Sequence, residues 1–243
     1  MATKLKSKSA LKGLEDELTE LANAQFSSED YQRMLNATFT LAGAQQFFLQ
    51  HSLFNLNRRD CWGYVQAAAP LPVKKLVWEH ESEELGGVAH RGGANHYELA
   101  VKQGESLQLA PEDYYKAQPM DATLTCCYAW INLANKSPWL EAFAASAALE
   151  YSNSEDIIRG GGVSRRLGEK LRDELGIPMK KQYSNEEHVE ADKAHGQMLM
   201  QIAEIYCDSD EARAQIVSGC KKSWAIDRVF RGFLGGVMET YAD

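Results

Sequence analysis

Apolar residues recur along this chain at helical rather than alternating intervals. Leu14, Leu18 and Leu21 open the pattern, and side chains three or four residues apart gather on one face of a helix. Ser27 or Ser28 then stands where an N-cap belongs, with Glu29 and Asp30 in the first turn, where the helix dipole favours acids. The helix they begin is predicted to carry Met34, Leu35, Phe39, Leu41, Phe47, Phe48 and Leu49 through to Leu56, ahead of a polar turn over residues 57–60. Pro70 and Pro72 precede a helix, KKLVWEHESEEL, that meets Gly86 and Gly87. The glycine-rich break GGVAHRGGAN follows, and a helical run restarts at His96. A short segment starts at Pro111, a helix covers residues 122–135, and Pro138 opens WLEAFAASAALEYS, whose small residues allow a neighbour to approach closely. RGGGVSRRLGEKLRDELGIP reads as loop, helix and Gly–Pro stop. A long helix over residues 185–206 and a last one ending near Tyr241 complete the chain. The expectation is an all-α bundle of about seven helices in one domain, residues 13–243, after a Lys- and Ser-rich flexible tail, residues 1–12.

Composition narrows the function without identifying it. The 243 residues, 44% of them hydrophobic and 25% charged, suit an ordinary globular core. A formal net charge of -8 argues against a nucleic-acid partner, which a basic face would recognise. No apolar run approaches the ~18 residues of a membrane span. The basic start MATKLKSKSALKG is not followed by the apolar stretch of a secretory signal. Five cysteines without regular spacing suggest reduced thiols and a cytoplasmic location.

Three segments carry candidate chemistry. In NEEHVEADKAHGQML, His188, Asp192 and His195 are offset by four and three residues, which puts them on one helix face. Two imidazoles and a carboxylate so placed suit a divalent first-row metal such as iron; a solvated charged face is the bland alternative. Glu150 follows Phe143, Ser146 and Ala147 at helical spacing, a carboxylate on an otherwise apolar or small face, and metal coordination would offset the cost of burying it. In WEHESEELGG, Glu81 and Glu84 share a face, His80 and Glu79 read as lying on others, His90 sits in the glycine break and His96 opens the next helix. Together the segments offer Glu plus His, Glu, and His-Asp-His, the ligand supply of a dinuclear site within a helical bundle. Structural zinc would want cysteine ligands, which are not spaced for it here, and magnesium would favour carboxylates over imidazoles.

With His96, Glu150, His188, Asp192 and His195 at these spacings, residues 30–210 resemble the haem-oxygenase-like diiron oxidases, relatives of the thiaminase-II and pyrroloquinoline-quinone synthase proteins. The resemblance implies a haem-oxygenase-like helical bundle and metal ligands Glu84, His96, Glu150, His188, Asp192 and His195. Glu81 is the alternative to Glu84, and Glu79 a distant third. It implies two Fe(II) ions with dioxygen as co-substrate, an external electron donor, and a small-molecule substrate. An amino acid is favoured, undergoing N-oxygenation, carbon–carbon cleavage or oxidative rearrangement such as nitrile formation. Phe47, Tyr128 and Phe143 are candidate aromatic contacts, and Arg159, with Arg165 and Arg166, a candidate carboxylate clamp. The competing functions are a metal-free thiaminase-II-like hydrolase with Cys126 or Cys127 as nucleophile, a fatty-acid oxidative decarboxylase, and, with least support, a non-enzymatic interaction protein. Beyond these, no membrane association is expected, and a homodimer is compatible with the pattern.

Overall fold

The computed structural model describes residues 8–87 and 89–242 and is helical throughout, with twelve α-helices and no strand among the described residues. They are α1 (Lys8–Phe26), α2 (Glu29–Asn36), α3 (Leu41–Ala68), α4 (Leu71–Gly86), α5 (His96–Gly104), α6 (Pro111–Lys116), α7 (Asp121–Lys136), α8 (Trp139–Tyr151), α9 (Val163–Leu175), α10 (Tyr183–His195), α11 (Met198–Tyr206) and α12 (Asp210–Thr240). The tail expected over residues 1–12 lies outside the described residues as far as residue 7, and residues 8–12 form the first turns of α1.

The helix count exceeds the seven expected because two long patterns are broken and short helices fill the links. The pattern beginning at Glu29 stops at Asn36, and Thr40 caps a second start by accepting from the Gly43 N–H. The pattern over residues 185–206 is interrupted at Gly196, where a side chain would collide with Ser154. The polar turn expected over residues 57–60 is absent, and α3 runs through it unbroken. Its NRRD run is tolerated because Arg58 and Arg59 turn inward to acids on α8 and α4 rather than to solvent.

Every residue of α8 from Leu140 to Tyr151 is buried, as expected of a helix surrounded on all sides. α12 packs chiefly on α8 and α2. Glycine makes both approaches feasible: a Cβ on Gly219 would collide with the Glu141 carbonyl of α8, and one on Gly232 with the Asp30 carboxylate of α2. The core these helices share includes Trp62, Phe143, Trp224, Phe230 and Leu234, all with at most 1% exposure. No described helix is long and apolar enough to cross a membrane.

Candidate metal centre

Four helices aim polar side chains at one buried point between α4, α5, α8 and α10. α4 contributes His80 and Glu84, one turn apart and therefore on the same face. α5 contributes His96 at its first residue. That position is set by Asn95, which accepts from the Glu98 N–H while the Glu98 carboxylate accepts from the Asn95 N–H. The link from α4 turns back tightly at Gly87, whose φ of 92° suits glycine and whose Cβ would strike the Gly93 carbonyl. α8 contributes Glu150 near its C-terminal end. α10 has no capping side chain of its own; Gln103 of α5 supplies one, its amide oxygen accepting from the Ser184 and Asn185 N–H groups. α10 then contributes His188, Asp192 and His195.

The potential ligand atoms form three overlapping groups, each within 4.8 Å of one another: His80, Glu84 and His195; Glu84, His96 and His188; and Glu150, Asp192 and His195. His96 Nδ1 lies 2.9 Å and His195 Nδ1 3.7 Å from Glu84 Oε1, and His80 Nε2 lies 3.7 Å from Glu150 Oε1. Three of the histidines are held from outside. His188 Nδ1 donates to the Ser184 carbonyl at 2.8 Å, His80 Nδ1 to Glu81 at 3.0 Å, and His195 Nε2 to Glu83 at 3.0 Å. Each bond fixes a ring's orientation and leaves its other nitrogen free to act as a ligand. His80 Nε2, His96 Nδ1, His195 Nδ1 and both Asp192 oxygens are buried, face inward and make no well-aligned hydrogen bond. Buried polar atoms ordinarily find partners. Nitrogen and carboxylate oxygen atoms converging on one buried point fit the coordination of divalent cations, and iron is among the metals this donor set suits.

Two arginines of α3 balance the acids. Arg58 Nη2 donates to Glu150 Oε1 at 2.7 Å and to the Ser146 carbonyl, and Arg59 Nη1 lies 2.8 Å from Glu84 and 2.9 Å from Glu81. Burial alone would raise the Glu84 pKa, but Arg59 and His96 outweigh it and hold the carboxyl well below its ordinary range. Glu150 is likewise held low, against its burial, by His80 and Arg58. Asp192 has no such partner, and burial drives its pKa well above the usual carboxylate value despite His188. For His80 burial is opposed by Glu150 and Glu81, which lift it to about 9.

Of the residues singled out in the sequence, Glu84, His96, Glu150, His188, Asp192 and His195 are brought together. Glu81 lies outside the inward group, between His80 and Arg59. His80, read from sequence as facing elsewhere, belongs to the cluster because four residues bring a helix nearly full circle to Glu84. Arg58 and Arg59 lie in the run expected as a polar turn, and neither they nor Glu83 carries a local signal that places them at the cluster. The expected substrate contacts are placed elsewhere. Phe143 packs on Trp62, which in turn packs on His80, so Phe143 is one layer behind the cluster. Phe47 stacks on His51 and is fully buried. Tyr128 points outward, 66% exposed, and Arg159 is paired with Glu20 at the surface. Arg166 bonds the Arg159 and Gly161 carbonyls, and Arg165 pairs with Glu155.

A cavity of about 70 Å³ adjoins the cluster, walled by Phe54, Leu85 and Leu149 together with Arg58, Arg59, Glu84, His96, Glu150 and His188. Cys126 and Cys127 are not in its wall, and burial pushes their thiols up to about 11 and about 12. At those values neither is a thiolate near neutral pH.

Comparison with known proteins is consistent with this geometry. A family model described as iron-containing redox enzyme matches residues 45–228. Among solved structures, a domain of unknown function with a haem-oxygenase-like fold from Shewanella denitrificans OS217 is similar, with a TM-score of 0.71 at 16% identity over 96% of this chain and 93% of that one. A CADD-like protein of unknown function from Nostoc punctiforme PCC 73102 has a TM-score of 0.68 at 20% identity, covering 93% and 97%. A TenA homologue from Pseudomonas syringae pv. tomato DC3000 has a TM-score of 0.64 at 14% identity, covering 91% of each chain. At these identities the likeness is one of fold: this chain has the haem-oxygenase-like fold. No curated protein matches.

Proposed function

We propose, given that this chain belongs to the iron-containing redox enzymes, that it is an oxidoreductase that holds two ferrous ions and uses dioxygen to oxidise a small, amino-acid-derived substrate. The observation that carries this reading is the set of inward-facing ligand atoms on His80, His96, Asp192 and His195 that make no well-aligned hydrogen bond, ringed by Glu84, Glu150 and His188. Glu84, His96 and His188 would hold one ion, Glu150, Asp192 and His195 the other, with His80 within reach of both glutamates. Bound there, ferrous iron would supply reducing electrons and open coordination positions for dioxygen.

The chain's own residues prepare that chemistry. Arg58 and Arg59 keep Glu150 and Glu84 ionised and hold each in one orientation. Ser184, Glu81 and Glu83 fix the rotation of His188, His80 and His195, so the ligand set is organised in advance. Phe54, Leu85 and Leu149 make the neighbouring cavity wall partly apolar, which limits water next to the cluster. An external electron donor would return the metals to the ferrous state between turnovers, and the high thiol pKa values of Cys126 and Cys127 count against the cysteine-nucleophile reading.

Anaerobic ferrous loading followed by metal analysis tests the proposal. About two irons per chain are expected, the complement of a dinuclear carboxylate site in a helical bundle, together with dioxygen uptake on adding a panel of amino acids. The double change Cys126→Ser and Cys127→Ser should leave that uptake largely intact. Saturation at one iron or none, or uptake that depends on the cysteines, would overturn the reading.

A further inference from the structure

A second cavity, of about 40 Å³, adjoins the first and shares Phe54, Asn55, Asn153 and His188 with it. Its remaining wall includes His51, Ser52, Ser164 and Asn185, and Arg231 is the one arginine, lysine or acid among its lining residues. Arg231 reaches it from α12, where it is 2% exposed. Behind it, Arg231 Nε donates to Asp227 Oδ1 at 3.1 Å, and the Tyr31 hydroxyl donates to the other Asp227 oxygen. Gly232 and Gly235 let α2 lie close enough to α12 for Tyr31 to make that bond. The guanidinium is flanked by Phe54 and Phe230, 5.7 and 5.8 Å from their ring centres. Its Nη1 is buried and has no hydrogen-bond partner among the described residues.

That combination is costly unless something completes it. A buried charged donor left unsatisfied loses more than the ~1–3 kcal/mol of an ordinary unmade hydrogen bond. Asp227 engages Nε from behind, and the cavity that Arg231 lines offers hydroxyls, amides and an imidazole but no carboxylate, so an anion in that cavity is the complement that fits the remaining Nη1 donor. The planar fork of a guanidinium matches a carboxylate, and the small volumes of the two cavities suit a compact molecule better than a long alkyl chain.

We propose that Arg231 is the anchor for the carboxylate of a compact substrate, which sits in the second cavity while the rest of the molecule passes His188 into the first cavity beside Glu84 and His96. The assignment rests on the proposed oxidase function and narrows its substrate to a small carboxylic acid of amino-acid size. It also replaces Arg159, whose head group is engaged at the surface by Glu20.

Calorimetric titration of the full chain, both metal-free and after anaerobic ferrous loading, tests it. The probes are acetate, butyrate, octanoate, L-alanine, L-leucine and L-phenylalanine, each paired with its primary amide. At least one short carboxylate or amino acid should bind in both states, and its amide about tenfold or more weaker. Arg231→Met should weaken the carboxylate by at least that factor, as expected when one partner of a buried charge pair is truncated. Ser164→Phe narrows the same cavity while leaving Arg231, Asp227 and Tyr31 unsubstituted, and it should have the same effect, which covers the case in which Arg231→Met fails to fold. The proposal is overturned if no probe binds, if acid and amide bind alike, if octanoate is preferred over the compact acids, or if binding survives in a folded variant. Two irons taken up without carboxylate binding would remove the anchor and leave the oxidase reading standing. Carboxylate binding lost in both variants, in a chain that takes up no iron, would do the reverse.

Discussion

Glu81 and Glu84 lie one turn apart on α4 and have different tasks. Glu84 Oε1 is 2.9 Å from His96 and within 4.0 Å of His80 and His195, whereas Glu81 accepts from His80 Nδ1 and Arg59. Glu84→Gln removes a carboxylate common to two of the three ligand groups. It should abolish uptake of at least one iron and all dioxygen consumption. Glu81→Gln keeps the inward set and loosens only the His80 ring, a change that typically costs about 10–100-fold in metal affinity or activity. Metal analysis of the two variants separates them, and equal losses would mean that Glu81 is itself a ligand. The sequence made most of this cluster legible, because His188, Asp192 and His195 need only helix geometry to be seen as a group. His80, expected on another face, joins the cluster because residues four apart, here His80 and Glu84, differ by only about 40° around a helix axis. Arg231 was hidden for a different reason. Its ion-pair partner Asp227 is one turn away, but Tyr31, which bonds Asp227, and Phe54, which flanks the guanidinium, are far away in the chain, and only the packing of α2 and α3 on α12 brings them there.

At the scale of elements, start signals were readable where a local cap or proline sets them. Ser28 before α2, Pro111 in α6 and Pro138 before α8 are examples. Interruptions imposed by contacts were not. Nothing local distinguishes the NRRD run inside α3 from a turn, because its acceptable burial depends on Glu84 and Glu150 waiting on other helices. Likewise the end of α10 depends on Ser154 pressing against Gly196. The same contact logic reverses the usual effect of replacing glycine in a helix. Gly63 lies on the exposed side of α3 and nothing would stand within 4 Å of an added Cβ. Gly63→Ala should therefore stabilise the fold by about 0.5–1 kcal/mol. Gly219→Ala drives a methyl into the Glu141 carbonyl and close to the Ala145 nitrogen, both on α8, the helix that carries Glu150. Overpacking of this kind costs about 1–3 kcal/mol. Urea unfolding should give opposite shifts in midpoint for the two changes, and a stabilising Gly219→Ala would mean that α8 and α12 are not so closely packed in solution.

For the molecule as a whole, the cluster is where distant parts of the chain are tied together. α4, α5, α8 and α10 supply inward side chains and α3 supplies the arginines, so residues from Arg58 to His195 meet at one buried point. Without a cation, three acids and four imidazoles crowd a low-dielectric interior, and Asp192 in particular has no partner for either oxygen. A buried carboxylate in that position is held at a cost. If ferrous iron is held here it needs the folded chain to bring these side chains together, so it should act as a stabilising ligand for the entire bundle. At a free concentration a hundred times Kd, such a ligand adds about 2.7 kcal/mol. In a chain of this size each kcal/mol moves the thermal midpoint by about 2–4 °C, so anaerobic ferrous iron should raise it by roughly 5–10 °C. The rise should be accompanied by greater hydrogen-exchange protection over residues 183–195, since α10 carries three of the inward side chains. Asp192→Ala gives the decisive contrast. Removing an unpaired buried carboxylate should leave the metal-free midpoint unchanged or slightly higher, yet it should cancel most of the response to iron. A wild-type midpoint indifferent to ferrous iron would mean that the metal does not distinguish the folded chain from the unfolded one, and that these side chains form a structural network only.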